Sequence, residues 1–275
     1  MPDFDPWATA ADVRTADRWR SAAAHWGTAL TQALLDSADL RRNSFVLDVA
    51  AGSGDPALYI AQRVTEGSVV ALDSSRRSLL LAKRRADEMG LGPKLRFVEA
   101  DVHQLPFSGS CFDRVTCRCG IMFFADVDTA LKGMLRVLKP GGRAAFLAWG
   151  PFQQPFFDRT FGTILRLIPK TTLPESARAM FRFATRGSLQ TALDRAGFCN
   201  AEERHPTLPR VWAGSPQQLW QYQREISTLF HPLLEAIPPA MLAQVDEAVC
   251  ASLARFQSGP TITTPAQVVV ATAES

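Results

Sequence analysis

Residues 45–56 read FVLDVAAGSGDP. A short apolar run closes on an acid, Asp48, and opens into a turn punctuated by Gly52 and Gly54. Glycines at that spacing let a backbone turn tightly and approach a ligand. A helix that follows such a turn aims its N-terminal N–H groups at the same place. The run from Gly52 to Ala57 also satisfies the dinucleotide pattern G-x-G-x-x-G/A, so by itself it leaves hydride chemistry and group transfer open. Three more groups end later apolar runs. Asp73, with Ser74 beside it, closes SVVALD, where a carboxylate can accept two ribose hydroxyls. Asp101 follows KLRFVEA and can accept an adenine amino group, while the Val102 backbone N–H serves a ring nitrogen. Thr116 to Gly120 end a fourth run and belong beside whatever extends from the ribose.

Asp48 separates the cofactors. An acid so near the cradle repels a pyrophosphate but suits a ligand whose near end is an ammonium. S-adenosylmethionine has that ammonium and no phosphate, so the expected cofactor is S-adenosylmethionine, leaving S-adenosylhomocysteine as product. A NAD(P)-dependent oxidoreductase on a similar sheet stays as the alternative, because Arg76 and Arg77 follow Asp73 closely. A protein that holds the cofactor without catalysis is a further alternative. No Tyr-x-x-x-Lys pair is present, which removes one common dehydrogenase chemistry.

The elements that must position these groups alternate along the chain. An apolar stripe at spacings of three and four predicts a helix from about Val13 to Leu40. Strand FVLDVA, helix Pro56–Val64, strand SVVALD, helix Arg76–Met89, strand KLRFVEA, strand CFDRVTCR and helix Val127–Leu138 follow. Lys139-Pro140-Gly141-Gly142 is expected to turn the chain into strand RAAFLAW. Alternation with short turns means α/β architecture with a mostly parallel sheet covered by helices on both faces. After Trp149 the pattern loosens into a cap. Ser188–Ala196 is a helix ended by Gly197, a strand falls near Cys199–His205, and AQVVVATAES is a last strand. Residues 206–264 are expected to be a helical insertion, with two helices broken at Ile237-Pro238-Pro239. The expected divisions of one overall domain are a helical cap at 1–42, the cofactor-binding core at 43–150, and the rest of the sheet with substrate-cap insertions at 151–275.

Composition bounds the remainder. The chain has 275 residues, 47% of them hydrophobic, enough for a sizeable core. A formal charge of +3 gives no argument for nucleic acid. The acidic MPDFDPWATA start is not a secretory signal, and no apolar run approaches the roughly 20 residues of a membrane span. Five cysteines without framework spacing read as reduced thiols of a cytoplasmic protein. Cys117 and Cys119 have no second Cys/His pair, so no metal site is expected.

VLDVAAGSGDPAL resembles motif I of the class I S-adenosylmethionine-dependent methyltransferases, with Ala50 where many members have glycine. VVALDSS, FVEADVHQLPF, FDRVTCRCGIMFFAD and LRVLKPGGRAAFLAWG resemble the later strand signatures. The wording is most similar to the ubiquinone/menaquinone-biosynthesis C-methyltransferase-like group, also called methyltransferase type 11, over residues 43–150. The resemblance implies a Rossmann-like, seven-stranded sheet whose last strand is antiparallel, with an N-terminal helix and helical cap insertions. It assigns Asp48, Ala50, Gly52 and Gly54 to the methionine and ribose region and Asp73 to the ribose hydroxyls. It further assigns Asp101 and Val102 to adenine and Cys117 to the surroundings of the methionine tail. Trp26 joins the cofactor-binding candidates, because the N-terminal helix of such folds often covers the cofactor.

The implied activity is transfer of an electrophilic methyl group to an in-line acceptor, which is mostly a matter of positioning. The acceptor is expected to be a small apolar or aromatic molecule, because Trp19, Trp26, Trp149, Phe152, Phe156, Phe157, Trp212, Trp220 and Phe230 cluster in the cap segments. Core burial is the competing reading for each of them. C-methylation follows from resemblance alone; O-, N- and S-methylation stay open. His25 and His103 are the candidate general bases, with His205 and His231 behind them. A monomer and a homodimer are equally compatible with the sequence.

Overall fold

A computed structural model of the chain describes Arg18 and residues 21–275. The predicted N-terminal helix is interrupted: residues 21–23 are helical. Residues 24–27 form a turn that carries His25 and Trp26, and helix α1 begins after Gly27, at Thr28–Ser37. Its earlier part, with Trp19, lies outside the described residues.

The chain divides into two compact units. The larger comprises Leu30–Trp149, Phe183–Pro206 and Val268–Ser275. Strands β1 (Phe45–Val49), β2 (Ser68–Asp73), β3 (Leu95–Glu99), β4 (Phe112–Arg118) and β5 (Leu138–Trp149) are all parallel to one another. Helices α2 (Ala57–Arg63), α3 (Arg76–Glu88) and α4 (Val127–Val137) connect them. Helix α8 (Ser188–Ala196) and strand β6 (Cys199–Arg204) follow after the cap segments. The strand order is β3-β2-β1-β4-β5-β9-β6, where β9 (Thr261–Glu274) runs antiparallel to both β5 and β6. This is the expected mostly parallel sheet with an antiparallel last strand. The order reverses between β1 and β4, which puts the open crevice of the sheet beyond their carboxyl ends.

One expected turn is a strand. Lys139-Pro140-Gly141-Gly142 lies inside β5, where a register shift between Phe112 and Arg114 of β4 absorbs it as a bulge with Gly141 at φ +72°. The proline needs no ladder partner at a bulge, and the glycine tolerates the positive φ. Burial of V46, L47, V49 in β1 and of residues 144–149 in β5 is complete or nearly so, as a sheet flanked by helices requires. At the far edge Glu203 of β6 accepts the backbone N–H groups of Gly187, Leu189 and Gln190, capping α8 from a neighbouring strand.

The smaller unit comprises the residues up to Ala29, Gly150–Arg182 and Thr207–Gln267. It holds helices α5 (Pro155–Arg159), α6 (Phe161–Leu167), α7 (Glu175–Ala179), α9 (Pro216–Ile226), α10 (His231–Glu235) and α11 (Leu242–Ala254). The insertion is not wholly helical. Strand β7 (Thr207–Ala213) opens it and pairs antiparallel with Thr261–Gln267, the first half of β9, where the short β8 (Gln257–Ser258) also pairs. Pro209 stands opposite Pro265; Val268 N–H donates to Pro206 O, so by the alternation of an antiparallel ladder 209 and 265 form a non-hydrogen-bonded pair and neither proline removes a ladder bond between these strands. The unit's core is aromatic. Phe161 and Phe230 stack at 3.8 Å, Phe157 lies over Phe230, and Trp220 meets Phe161 edge-on. Most of the predicted acceptor-pocket aromatics therefore pack on one another here.

Candidate functional site

The loop after β1 is built around backbone angles that few residues tolerate. Gly52 and Gly54 sit at φ +53° and +102°, and Ala50 at φ +56°. Alanine in that region costs about 1–2 kcal/mol, which glycine would not pay. The site where the related pattern has glycine is thus one that demands glycine geometry. A Cβ on Gly54 would come within 3.0 Å of Leu58 and 3.2 Å of Ala82, so this glycine serves close helix packing. A Cβ on Gly52 would meet nothing within 4 Å: the loop leaves open space there, as a ligand cradle must.

Neighbouring elements brace the loop. Ala51 N–H donates to Leu72 O, and Gly52 N–H donates to Asp73 Oδ2 at 2.7 Å. Asp73 Oδ1 accepts from Ser75 N–H at 2.8 Å, while the Ser75 hydroxyl caps α3. Arg85 of α3 donates to Ser53 O at 2.7 Å. The predicted ribose acid therefore also ties the glycine turn to the end of β2. Ser74 is exposed beside it.

Asp48 is fully buried in β1. Its Oδ1 accepts from the Thr116 hydroxyl on β4 at 2.7 Å, and its Oδ2 has no hydrogen-bond partner among the described residues. Burial, with help from Asp55, pushes its pKa up to about 7, against the opposing pull of Thr116 and Arg118. Arg118, at the end of β4, has the complementary gap: its Nε is buried without a partner, and one terminal nitrogen lies 3.5 Å from Asp55 Oδ2. Burial opposes the Arg118 cation, but Asp55, Cys119 and Asp48 outweigh it and raise the pKa. Thr31 of α1 donates to the other Asp55 oxygen at 2.6 Å. Cys117 is fully buried, and burial followed by Asp48 drives its thiol far above the usual range, so it is an inert wall rather than a nucleophile.

Asp101 is exposed after β3, and Val102 is buried. Asp101 accepts from His103 N–H at 2.9 Å and meets the His103 ring Nδ1 at 2.6 Å. That backbone donor, against slight burial, lowers its pKa. His103 Nε2 accepts from Asp126 N–H at 3.2 Å, so Nδ1 carries the proton shared with Asp101. Both ring nitrogens are thus engaged, and His103 holds the turn after β3 against the start of α4. His25 is exposed in its turn, His205 pairs with Glu203 at 2.6 Å, and His231 begins α10. Trp26 is buried in the smaller unit, edge-on to Phe156 and Trp212. No group of three or more His, Cys, Asp or Glu among the described residues is placed to hold a metal.

Asp48, the glycine turn, Asp73, Asp101 with Val102, and Cys117 all stand at carboxyl ends of the adjacent strands β1 to β4. Asp55, Thr116 and Arg118, which lie inside the quoted stretches without an individual role assigned there, join them, as does Arg85, which lies outside those stretches. The one signal for Arg118 was a cation closing a buried strand.

A methyltransferase-domain family matches residues 46–142. The chain is 36% identical to the demethylmenaquinone methyltransferase of Thermus thermophilus over 166 residues, 56% of this chain and 73% of that protein. It is 40% identical to the ubiquinone/menaquinone biosynthesis C-methyltransferase UbiE of Idiomarina loihiensis over 114 residues. That match takes 41% of this chain and 45% of the relative, so it spans about half of the curated protein. Among solved structures, YcgJ of Bacillus subtilis superposes with a TM-score of 0.57 at 20% identity, over 89% of this chain and 97% of that one. A geranyl diphosphate methyltransferase in complex with S-adenosylmethionine superposes with a TM-score of 0.56 at 17% identity, over 96% and 91%. Fold and site together define the class I S-adenosylmethionine-dependent methyltransferases, and the chain belongs to that family, in its ubiquinone/menaquinone C-methyltransferase-like group. None of these likenesses points to a dinucleotide-dependent oxidoreductase.

Proposed function

We propose that the protein methylates a small apolar or aromatic molecule at carbon, using S-adenosylmethionine held by the larger unit. One observation carries the reading. A buried carboxylate oxygen of Asp48 and a buried guanidinium nitrogen of Arg118 each lack a partner at the switch point of the sheet. An orphaned acceptor beside an orphaned donor complements the ammonium and carboxylate of a methionine tail. When bound, the cofactor supplies an electrophilic sulfonium methyl. The chain's own residues do the rest. Asp48 takes the ammonium and Arg118 the carboxylate. Gly52 gives the backbone clearance. Asp73 receives the ribose hydroxyls, with Ser74 beside it. Asp101 and the Val102 N–H face the adenine.

Carbon as the acceptor atom is supported by the name of the Idiomarina C-methyltransferase, and a quinone-like ring as acceptor by the names of both the Thermus and the Idiomarina relatives. The five free cysteines fit a cytoplasmic setting, and no helix among the described residues is long and apolar enough to cross a membrane. Calorimetry with S-adenosylhomocysteine tests the cofactor reading. Binding in the micromolar range supports it; folded protein that shows no heat at high micromolar ligand overturns it. Methyl transfer from labelled cofactor to a panel of quinols and phenols, with the product's methyl position read by NMR, tests the acceptor.

A further inference from the structure

The Arg118 guanidinium is gripped on one side only. Its Nη1 lies 3.5 Å from Asp55 Oδ2, whereas Nε is buried and has no hydrogen-bond partner among the described residues. A guanidinium is planar, and the edge that carries the Nε N–H faces away from Nη1. The ion pair with Asp55 therefore leaves that edge for another acceptor. The grip is itself anchored. Asp55 stands in the loop after β1, between Gly54 and Pro56. Its other oxygen accepts from the Thr31 hydroxyl at 2.6 Å, and Thr31 is buried on α1 in the same unit. A hydroxyl bonded to one carboxylate oxygen fixes which way the other points. Thr31, Asp55 and Arg118 thus run as one chain of contacts from α1 through the glycine turn to the end of β4. Burial opposes the Arg118 cation, and Asp55 is foremost among the charges that offset it. A long arginine side chain loses rotamer freedom when a ligand orders it, so one already held in place binds with less entropy lost.

We propose that Asp55 is a positioning residue for the cofactor: fixed by Thr31, it holds Arg118 by one terminal nitrogen so that the Nε edge is presented to the carboxylate of the methionine tail. Two anions can share one guanidinium because they use different edges of it. The inference rests on the cofactor reading above and goes beyond it, since Asp55 acts through Arg118 and not on the cofactor itself. Thr31 is the outermost member of the chain and acts through Asp55 in turn.

The test compares two ligands by calorimetry on the full chain: S-adenosylhomocysteine, and methylthioadenosine, which keeps the adenosine and the sulfur but lacks the amino-acid tail. Asp55→Ala is expected to weaken S-adenosylhomocysteine roughly tenfold or more, as for a charge-assisted hydrogen bond made poorly, and to leave methylthioadenosine unchanged. Thr31→Val should weaken S-adenosylhomocysteine about threefold with the same selectivity, and it carries the test if Asp55→Ala fails to fold. In an Arg118→Met background, Asp55→Ala should have little further effect on S-adenosylhomocysteine, because the group it positions is gone. A role in merely shaping the loop predicts equal losses for the two ligands, and that result overturns the proposal. Unchanged S-adenosylhomocysteine affinity in Asp55→Ala and Thr31→Val, or additive losses in the double variant, also overturns it. Native protein that binds S-adenosylhomocysteine while its variants lose no tail selectivity sinks this inference alone. Native protein that binds neither ligand sinks the cofactor reading, and this inference with it.

Discussion

At the scale of single residues, Asp48 is the group whose environment has consequences in solution. Its folded pKa, about 7, lies above the ordinary 3.8, so the folded protein favours the protonated form. That contribution to stability is fully present below about pH 4 and is lost as pH rises through about 7. The gap corresponds to up to about 4 kcal/mol. Asp48→Asn should therefore flatten the fall in urea stability between pH 4 and 7 in the ligand-free protein. The cofactor's ammonium pulls the other way, since it stabilises the ionised acid. Affinity for S-adenosylhomocysteine is expected to rise from pH 6 to 8 in the native protein and to stay level in Asp48→Asn. A level profile in both removes Asp48 from the ammonium site. Asp73, the proposed ribose acid, also accepts the backbone N–H groups of Gly52 and Ser75. Asp73→Ala should weaken S-adenosylhomocysteine roughly 30-fold or more by calorimetry, through lost hydrogen bonds to a charged acceptor. Because Gly52 and Ser75 also lose their acceptor, stability should drop by about 1–3 kcal/mol as well. Unchanged affinity would place the ribose elsewhere.

At the scale of elements, the loop after β1 and the end of β4 are fitted to one another. A Cβ on Gly120 would fall 2.4 Å from the Ala50 Cβ and 3.0 Å from Cys117 Sγ. Two methyl groups cannot share that space, so Ala50 and Gly120 are a complementary pair. Gly120→Ala is expected to cost about 1–3 kcal/mol in urea denaturation, the range for overpacking. In an Ala50→Gly background the same change should cost clearly less. Additive losses would show that the clash is relieved by some other movement. The pair accounts for the alanine that departs from the family's glycine: the clearance that residue 50 fails to provide is supplied by glycine at 120.

At the scale of the whole molecule, four strand ends in one unit are expected to respond to cofactor together. Hydrogen exchange with saturating S-adenosylhomocysteine should slow in residues 50–56, 73–75, 101–103 and 118–120, since bound ligand must be released before these segments open. Protection elsewhere but not there would contradict the site. Much of that site was legible beforehand. The alternation of strand and helix, the glycine turn and the acids at successive strand ends are local patterns with periods of two and 3.6 residues, and each survives in the folded chain. The helical insertion was misread at Thr207–Ala213, which is a strand because the distant Thr261–Gln267 pairs with it. The expected turn at Pro140-Gly141 is likewise a bulge, because its partner strand shifts register there. The sequence alone determined the sheet class, its parallel core and the placing of acids at successive strand ends, because hydrophobic periodicity and motif spacing are encoded within short windows. Only the tertiary structure decided that Asp48 is sealed with its pKa pushed up to about 7, that the charge of Arg118 acts on it, that Ala50 and Gly120 exclude each other's methyl groups, and that Arg210 lies against Trp26. Each of those depends on burial and on contacts between residues dozens of positions apart, which no local pattern records.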